Sequence, residues 1–197
     1  MIPCQKRDEF LRRLGGALAD AGVLLLEYRN KSGSDEEVLA DAAILREAIP
    51  PPARLILDDR AHLVAEAGFD GVHVDAGDLA PSEARNLLGL GRIVGTFGGS
   101  EALIPGVLEQ PADYFSIGPI GLTTTKVTSK APIGPEGVRR LRAAAGPGVV
   151  LVAAGGITLE NAPEVIEAGA TTVAVAAAIF RTPDAASEFR RWKKLLG

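Results

Sequence analysis

The chain has 197 residues and a formal net charge of −4, which suits one domain over 1–197 and excludes a broad basic surface for nucleic acid or anionic membranes. Hydrophobic residues make up 47% of the chain but aromatic residues only 5%, which favours helices packed on a parallel sheet over an all-β sandwich. The one cysteine, Cys4, excludes an internal disulfide, and no apolar run, including the one at 149–154, is long enough to span a membrane. We therefore expect a cytoplasmic protein with neither nucleic-acid nor membrane partners.

A recurring pattern divides the chain into alternating helices and strands. Several helical patterns end at an Ala-Gly pair, as at Ala21-Gly22, and an apolar strand follows. Glycine suits the position just beyond a helix because a left-handed φ costs it little. The sequence predicts seven strands, which in chain order cover 23–28, 54–57, 69–74, 93–96, 114–117, 149–154 and 173–175.

Helix start signals lie between these strands. A helical pattern covers 35–48, and further helices are predicted to begin at Pro81, Pro135, Thr158 and Thr182. We interpret Thr158 and Thr182 as N-caps, because a hydroxyl there accepts a hydrogen bond from the first helical turn.

Alternating strands and helices predict an α/β fold with a parallel sheet and right-handed crossovers. Seven or eight such units in a chain of this length favour a single-domain (β/α)8 TIM barrel. Its first strand would be short or degenerate, with residues 1–3 as the candidate stub. A doubly wound open sheet is the alternative.

Charged residues follow the predicted strands, where barrel enzymes carry their chemistry. Arg29, Lys31 and Lys126 could neutralise a diphosphate. Asp59 and Asp78 are candidate Mg²⁺ ligands, because Mg²⁺ prefers one or two carboxylates together with substrate phosphate. Each residue alone also fits a solvated loop or a turn. The functional interpretation depends on the observation that these charged residues all fall on one predicted face of the barrel.

The loop over 118–126 contains two glycines, three hydroxyls and one ammonium, with no acidic side chain. These groups supply the hydrogen-bond donors and positive charge that phosphate oxygens require. Gly155-Gly156, ahead of a predicted helix, offers backbone N–H groups to a second phosphate, although the pair also suits a tight turn. We interpret His73, within an apolar strand, as a buried structural histidine rather than a base.

From about residue 23 to residue 180 the chain resembles thiamine-phosphate synthases and their thiazole tautomerase relatives. The motifs that carry the resemblance are Asp58-Asp59-Arg60, Gly71-Val72-His73, Gly118-Pro119 with 123–126, Gly155-Gly156-Ile157-Thr158 with Asn161, and the segment from Ala168-Gly169-Ala170 to Ile179.

The resemblance implies a (β/α)8 barrel that joins a hydroxymethylpyrimidine diphosphate to a thiazole phosphate, releasing diphosphate and forming thiamine phosphate. It implies Arg29, Lys31 and Lys126 as catalytic cations on the diphosphate, Asp59 and Asp78 as Mg²⁺ ligands, and a homodimer as an oligomeric state. The substrate-binding residues that it implies are Glu27, Tyr28, Arg29, Asn30, Lys31, Asp58, Phe97, Thr123, Thr124, Thr125, Lys126, Gly156, Ala176 and Ala177.

Several positions depart from the family pattern. The family usually has glutamine at Glu27, asparagine at Asp58, and serine at Phe97 and Ala177. A carboxylate at Asp58 would repel a diphosphate unless a metal intervenes. Two alternatives stay open: a thiazole tautomerase, which relies on a histidine absent from the segment 97–100, and a non-catalytic barrel that binds a phosphorylated ligand.

Overall fold

A computed structural model describes residues 4–123 and 130–197. The chain forms two compact units. The first ends at Val94 and the second begins at Gly95. The helices and strands follow in the order α1 (Cys4–Asp20), β1 (Leu25–Tyr28), α2 (Asp35–Ala48), β2 (Arg54–Asp58), β3 (Gly71–Val74), α3 (Pro81–Leu88), β4 (Ile93–Gly99), β5 (Tyr114–Ile117), α4 (Gly134–Ala145), β6 (Leu151–Ala154), α5 (Ala162–Glu167), β7 (Thr172–Ala174), α6 (Ala177–Phe180) and α7 (Ala185–Leu196).

In the first unit, β1 pairs with β2 and β2 with β3, all in parallel. Strand β2 is the centre of this arrangement, and Leu55, Ile56 and Leu57 are almost completely buried because both of its faces are covered. Asp58, the last residue of β2, pairs in register with His73 of β3. The register therefore places the polar end of β2 beside the end of β3.

The loop between β1 and α2 is closed by a capping box. Ser34 Oγ accepts a hydrogen bond from Glu37 N at 3.3 Å, and Glu37 Oε2 accepts one from Ser34 N at 3.0 Å. This reciprocal pair satisfies two donors at the start of α2 and fixes where the loop ends.

In the second unit, β4 pairs with β5, β5 with β6 and β6 with β7, again in parallel. Its core is built from residues such as Ile117, Leu141, Leu151 and Val165, which are at most 1% exposed. Aliphatic side chains thus fill the space between this part of the sheet and α4 and α5, as the low aromatic content predicted.

The described elements confirm the predicted α/β fold of the (β/α)8-barrel class, with parallel strands β1–β3 in chain order in the first unit and β4–β7 in chain order in the second. The candidate stub at 1–3 lies outside the described residues, and the single domain over 1–197 stays a prediction. None of the helices described has the length and apolar character of a membrane span.

Two predicted helix starts are wrong. Thr158 Oγ1 accepts a hydrogen bond from Asn161 N at 3.2 Å and closes a turn, so α5 begins only at Ala162. Asp184, rather than Thr182, caps α7, because its Oδ1 accepts a hydrogen bond from Ser187 N at 2.9 Å. The Thr182 hydroxyl instead donates to the carbonyl of Ile179, at the end of α6.

Candidate active site

Three carboxylates meet where β2 ends and in the loop that follows β3. One oxygen from each of Asp58, Asp59 and Asp78 lies within 4.8 Å of the others. The side chain of Asp58 is 3% exposed, and those of Asp59 and Asp78 are each 17% exposed. The sequence predicted Asp59 and Asp78 as a pair, and the structure adds Asp58 to them.

The backbone directs two of these carboxylates into the cluster. Asp59 has a φ of 71°, in the left-handed region, and its N–H donates to the carbonyl of His73 at 2.8 Å. Aspartate tolerates this conformation better than most residues. Asp78 Oδ2 accepts a hydrogen bond from Asp75 N at 2.8 Å. Both side chains are therefore oriented by the chain itself.

Two cations from the loop after β1 reach the same cluster. Arg29 Nη1 lies 2.5 Å from Asp58 Oδ2. Lys31 Nζ lies 2.6 Å from Asp59 Oδ2, 3.2 Å from Asp58 Oδ1 and 3.4 Å from Asp78 Oδ1. Burial alone would lower the pKa of Arg29 and of Lys31. The negative charges and hydrogen bonds of the neighbouring carboxylates outweigh burial, so the pKa of each is raised. Both side chains therefore hold their protons more tightly than free arginine and lysine do.

Arg60 holds the loop that carries these cations, a role that the sequence did not reveal. Arg60 Nη2 donates to the carbonyl of Gly33 at 2.5 Å and to that of Asn30 at 3.3 Å, and Nη1 lies 2.5 Å from Asp35 Oδ1. Asn30 Oδ1 accepts from Gly33 N at 2.9 Å. The sequence signal for this role was the position of Arg60 directly after Asp58 and Asp59.

Tyr28 is fixed by a second set of contacts. Its hydroxyl donates to Asp41, a buried residue of α2, and Arg7 of α1 also donates to Asp41. Burial and the hydrogen bond to Asp41 raise the pKa of Tyr28 to about 12. Asp41 follows Val38 by three residues and so lies on the apolar face of α2. A charged residue on an apolar face requires a partner, and this was the sequence signal for the contact.

His73 is 7% exposed, which confirms the prediction of a buried histidine. Its Nε2 lies 3.6 Å from Asp75 Oδ1. Burial alone would lower the pKa of His73, but Asp75 and Glu27 outweigh it and the net pKa is raised. Neighbouring protein atoms desolvate the Glu27 carboxyl and raise its pKa, although the residue as a whole is exposed to solvent.

In the second unit, two glycine-containing turns lie against each other. The N–H groups of Ile120 and Gly121 donate to the carbonyl of Gly155 at 2.8 and 2.9 Å. Gly156 has a φ of +70°, and a Cβ there would lie 2.3 Å from the carbonyl carbon of Gly121. Only glycine fits. These N–H groups of the predicted phosphate loop are therefore used to hold the turn at Gly155.

Phe97 lines a cavity of about 390 Å³ in the second unit, together with residues that include Ser100 and Ile104. Lys130 Nζ lies 3.7 Å from the centre of the Phe97 ring. Ala176 and Ala177 lie at the start of α6. Thr123 is half-buried. The remaining predicted loop residues, Thr124, Thr125 and Lys126, lie outside the described residues.

The acidic cluster fits a Mg²⁺ ion by its donor chemistry. Carboxylate oxygens are the hard ligands that Mg²⁺ prefers. Asp58 Oδ1 is buried and, although Lys31 lies near it as an ion-pair partner, it accepts no hydrogen bond from the described residues. A buried carboxylate oxygen with only an ion-pair partner among the described residues is suited to a cation.

Comparison with known proteins identifies the family. A family model described as thiamine monophosphate synthase matches residues 2–179. The chain belongs to the thiamine monophosphate synthase family. It is 43% identical to the thiamine-phosphate synthase of Koribacter versatilis over 173 residues, 87% of this chain and 81% of that protein. It is 39% identical to that of Agrobacterium fabrum, over 90% of this chain and 82% of that protein.

A solved structure supports the same membership of the thiamine monophosphate synthase family. Thiamine phosphate pyrophosphorylase from Pyrococcus furiosus superimposes with a TM-score of 0.71 at 25% identity, covering 95% of this chain and 91% of that one. The resemblance inferred from the motifs is therefore confirmed over nearly the whole chain.

Proposed function

We propose that the protein is a thiamine-phosphate synthase, a transferase that joins 4-amino-5-hydroxymethyl-2-methylpyrimidine diphosphate to a thiazole phosphate and releases diphosphate. The observation that carries this proposal is the meeting of Arg29 and Lys31 with the cluster of Asp58, Asp59 and Asp78 in a member of this family. Cations and a metal-binding carboxylate set are what a departing diphosphate requires.

The first unit would hold the diphosphate. The loop that Arg60 anchors presents Arg29 and Lys31 beside the three carboxylates. Lys126, predicted from the sequence, would add a third cation. Asp59 and Asp78, with Asp58 beside them, would hold Mg²⁺. When bound, this ion would neutralise charge on the diphosphate oxygens as a Lewis acid.

The second unit would hold the thiazole phosphate. Ala176 and Ala177, at the start of α6, carry no bulky side chain, and Gly156 fixes the neighbouring turn against Gly121. The first N–H groups of a helix have no acceptor within the helix, which favours an anion. The hydroxyls of Thr123, Thr124 and Thr125 would add donors.

The reaction requires no base from the protein. The bond between the pyrimidine methylene and the diphosphate oxygen breaks, and its electron pair leaves with the diphosphate. The lone pair of the thiazole nitrogen then forms the new carbon–nitrogen bond. Arg29, Lys31 and Lys126 stabilise the charge that develops on the leaving group. His73 is buried among carboxylates and has no role in this step.

The tautomerase alternative is less well supported by the residues of this chain. The only histidines are His62 and His73, and the segment after β4 has none. His62 Nε2 lies 2.8 Å from Asp35 Oδ2 on an exposed surface. Neither histidine takes the place that the tautomerase resemblance requires.

Product analysis distinguishes the candidate functions. The purified protein is incubated with Mg²⁺ and both substrates, and separately with the thiazole tautomer alone. We expect thiamine phosphate and diphosphate in equal amounts in the first reaction and no isomerised thiazole in the second. Isomerisation without condensation would favour the tautomerase, and binding of the pyrimidine diphosphate without either product would favour a non-catalytic barrel.

A further inference from the structure

The ammonium group of Lys31 lies among the three carboxylates that would hold the metal. It is within 3.4 Å of an oxygen of each of Asp58, Asp59 and Asp78, and the shortest of these distances, 2.6 Å, is to Asp59. Among these three described carboxylates Arg29, by contrast, forms an ion pair only with Asp58. Lys31 therefore supplies the positive charge that the whole cluster shares.

We propose that Lys31 occupies the carboxylate cluster as an internal cation in the metal-free protein, and that metal binding displaces it toward the diphosphate. This inference rests on the proposed function and concerns how its two parts are coupled. An ammonium and a divalent cation in contact with the same oxygens repel each other. This repulsion favours release of the lysine when the metal binds.

The side chain can move while its loop stays in place. The backbone of the loop is held by Arg60 through the carbonyls of Asn30 and Gly33, and by Asn30 Oδ1 through Gly33 N. The Lys31 side chain itself is 37% exposed. Lysine has a flexible four-carbon stem and a compact charge that is not restricted to one geometry.

Two ligands would then favour each other through one side chain. A diphosphate attracts Lys31 out of the carboxylates and so opens the cluster to the metal. The metal in turn frees Lys31 for the diphosphate. Thermodynamic linkage requires that the diphosphate strengthen metal binding by the same free energy by which the metal strengthens diphosphate binding. Part of the coupling between metal and diphosphate would therefore depend on Lys31 alone.

Mn²⁺ binding without any substrate tests the displacement directly. Binding is measured by electron paramagnetic resonance of free Mn²⁺ for wild type, Lys31→Met, Lys31→Arg and Arg12→Met. Arg12 pairs with Glu47 in an exposed contact away from the cluster, so Arg12→Met makes the same change in net charge. We expect Lys31→Met to bind Mn²⁺ about tenfold more tightly than wild type, the scale of one unit charge near a divalent ion in a water-like medium.

The controls separate the inference from its alternatives. Lys31→Arg keeps the charge and is expected to bind Mn²⁺ like wild type, as is Arg12→Met. Equal or weaker binding by folded Lys31→Met would overturn the inference while leaving the metal site intact. If none of the three proteins, wild type, Lys31→Met and Asp58→Asn, binds Mn²⁺, the metal assignment in the proposed function is itself contradicted.

A second measurement examines the coupling. Inorganic diphosphate binding is measured by calorimetry with and without saturating Mn²⁺. We expect Mn²⁺ to raise the affinity of wild type several-fold more than that of Lys31→Met, a difference of the usual size for linked sites. The same enhancement in both proteins would contradict release of the lysine.

Discussion

Arg29 and Asp58 form an ion pair in which Nη1 of the arginine lies 2.5 Å from Oδ2 of the aspartate. The aspartate side chain is 3% exposed, whereas that of the arginine is 39% exposed. A buried carboxylate thus holds a cation that would otherwise face the diphosphate. Asp58 and the diphosphate compete for Arg29, and this competition has a measurable consequence.

Asp58→Asn is expected to strengthen the binding of inorganic diphosphate in the absence of metal, by about tenfold, because it removes one negative charge close to the anion. Asparagine keeps an oxygen that accepts from Arg29. With saturating Mg²⁺ the gain should be smaller, since the ion neutralises the aspartate in wild type. Calorimetry on both proteins measures the two effects. Weaker binding by the metal-free variant would contradict the competition.

Asp78→Asn is expected to lower Mg²⁺-dependent turnover by about 100-fold, the several kcal/mol that a bound metal contributes to charge stabilisation. The amide keeps an oxygen to accept the hydrogen bond from Asp75 N, now 2.8 Å long, so the loop should stay folded. Circular dichroism checks the fold and a steady-state assay checks turnover. Unchanged turnover would remove Asp78 from the metal site.

Gly156→Ala is expected to destabilise the second unit and to weaken thiazole-phosphate binding, because the added Cβ would lie 2.3 Å from Gly121. Gly106→Ala is the matched control, since Gly106 has a φ of +71° and its Cβ would meet only one side-chain atom, at 4.0 Å. The control should cost about 1–2 kcal/mol from backbone strain alone.

Thermal unfolding of both glycine variants, with and without the thiazole phosphate, distinguishes strain from collision. The two variants should differ in stability and in ligand binding. Equal losses would show that the contact between Gly156 and Gly121 is relaxed at little cost.

Tyr28 is expected to make stability fall at alkaline pH. Its pKa is raised to about 12 by burial and by its hydrogen bond to Asp41, from an ordinary value of about 10. The folded state therefore keeps a proton that the unfolded state loses. This contribution is complete below about pH 10 and declines as the pH rises from about 10 to 12.

Denaturant unfolding of wild type and Tyr28→Phe between neutral and alkaline pH measures this contribution. The wild-type free energy of unfolding should fall more steeply with pH than that of Tyr28→Phe. Parallel curves would show that Asp41 does not hold the phenol in its neutral form.

Much of the fold could be predicted because its patterns are local. The strand Tyr114–Ile117 and the helix Asp35–Ala48 have the predicted bounds, since turn and capping residues enclose their apolar patterns. The start of α7 could not be fixed, because Thr182 and Asp184 are both good caps and only the contact with Ser187 decides between them.

The candidate site could be predicted in part. Strand ends placed Asp59 and Asp78 together correctly, because parallel strands share one edge. The pairing of Lys31 with all three carboxylates could not be predicted, since a long side chain has many positions that spacing does not restrict. Arg60 was part of a motif, but its contacts with Gly33 and Asn30 depend on the conformation of the loop after β1, which the motif does not specify.

A single assay decides whether the protein is a Mg²⁺-dependent synthase. It follows the formation of thiamine phosphate from the pyrimidine diphosphate and the thiazole phosphate, first with Mg²⁺ and then after Mg²⁺ is removed by a chelator. We predict product with stoichiometric diphosphate when Mg²⁺ is present, loss of most turnover after chelation, and recovery when Mg²⁺ is restored. Equal rates with and without Mg²⁺ would contradict the metal dependence, and no product under either condition would contradict synthase activity.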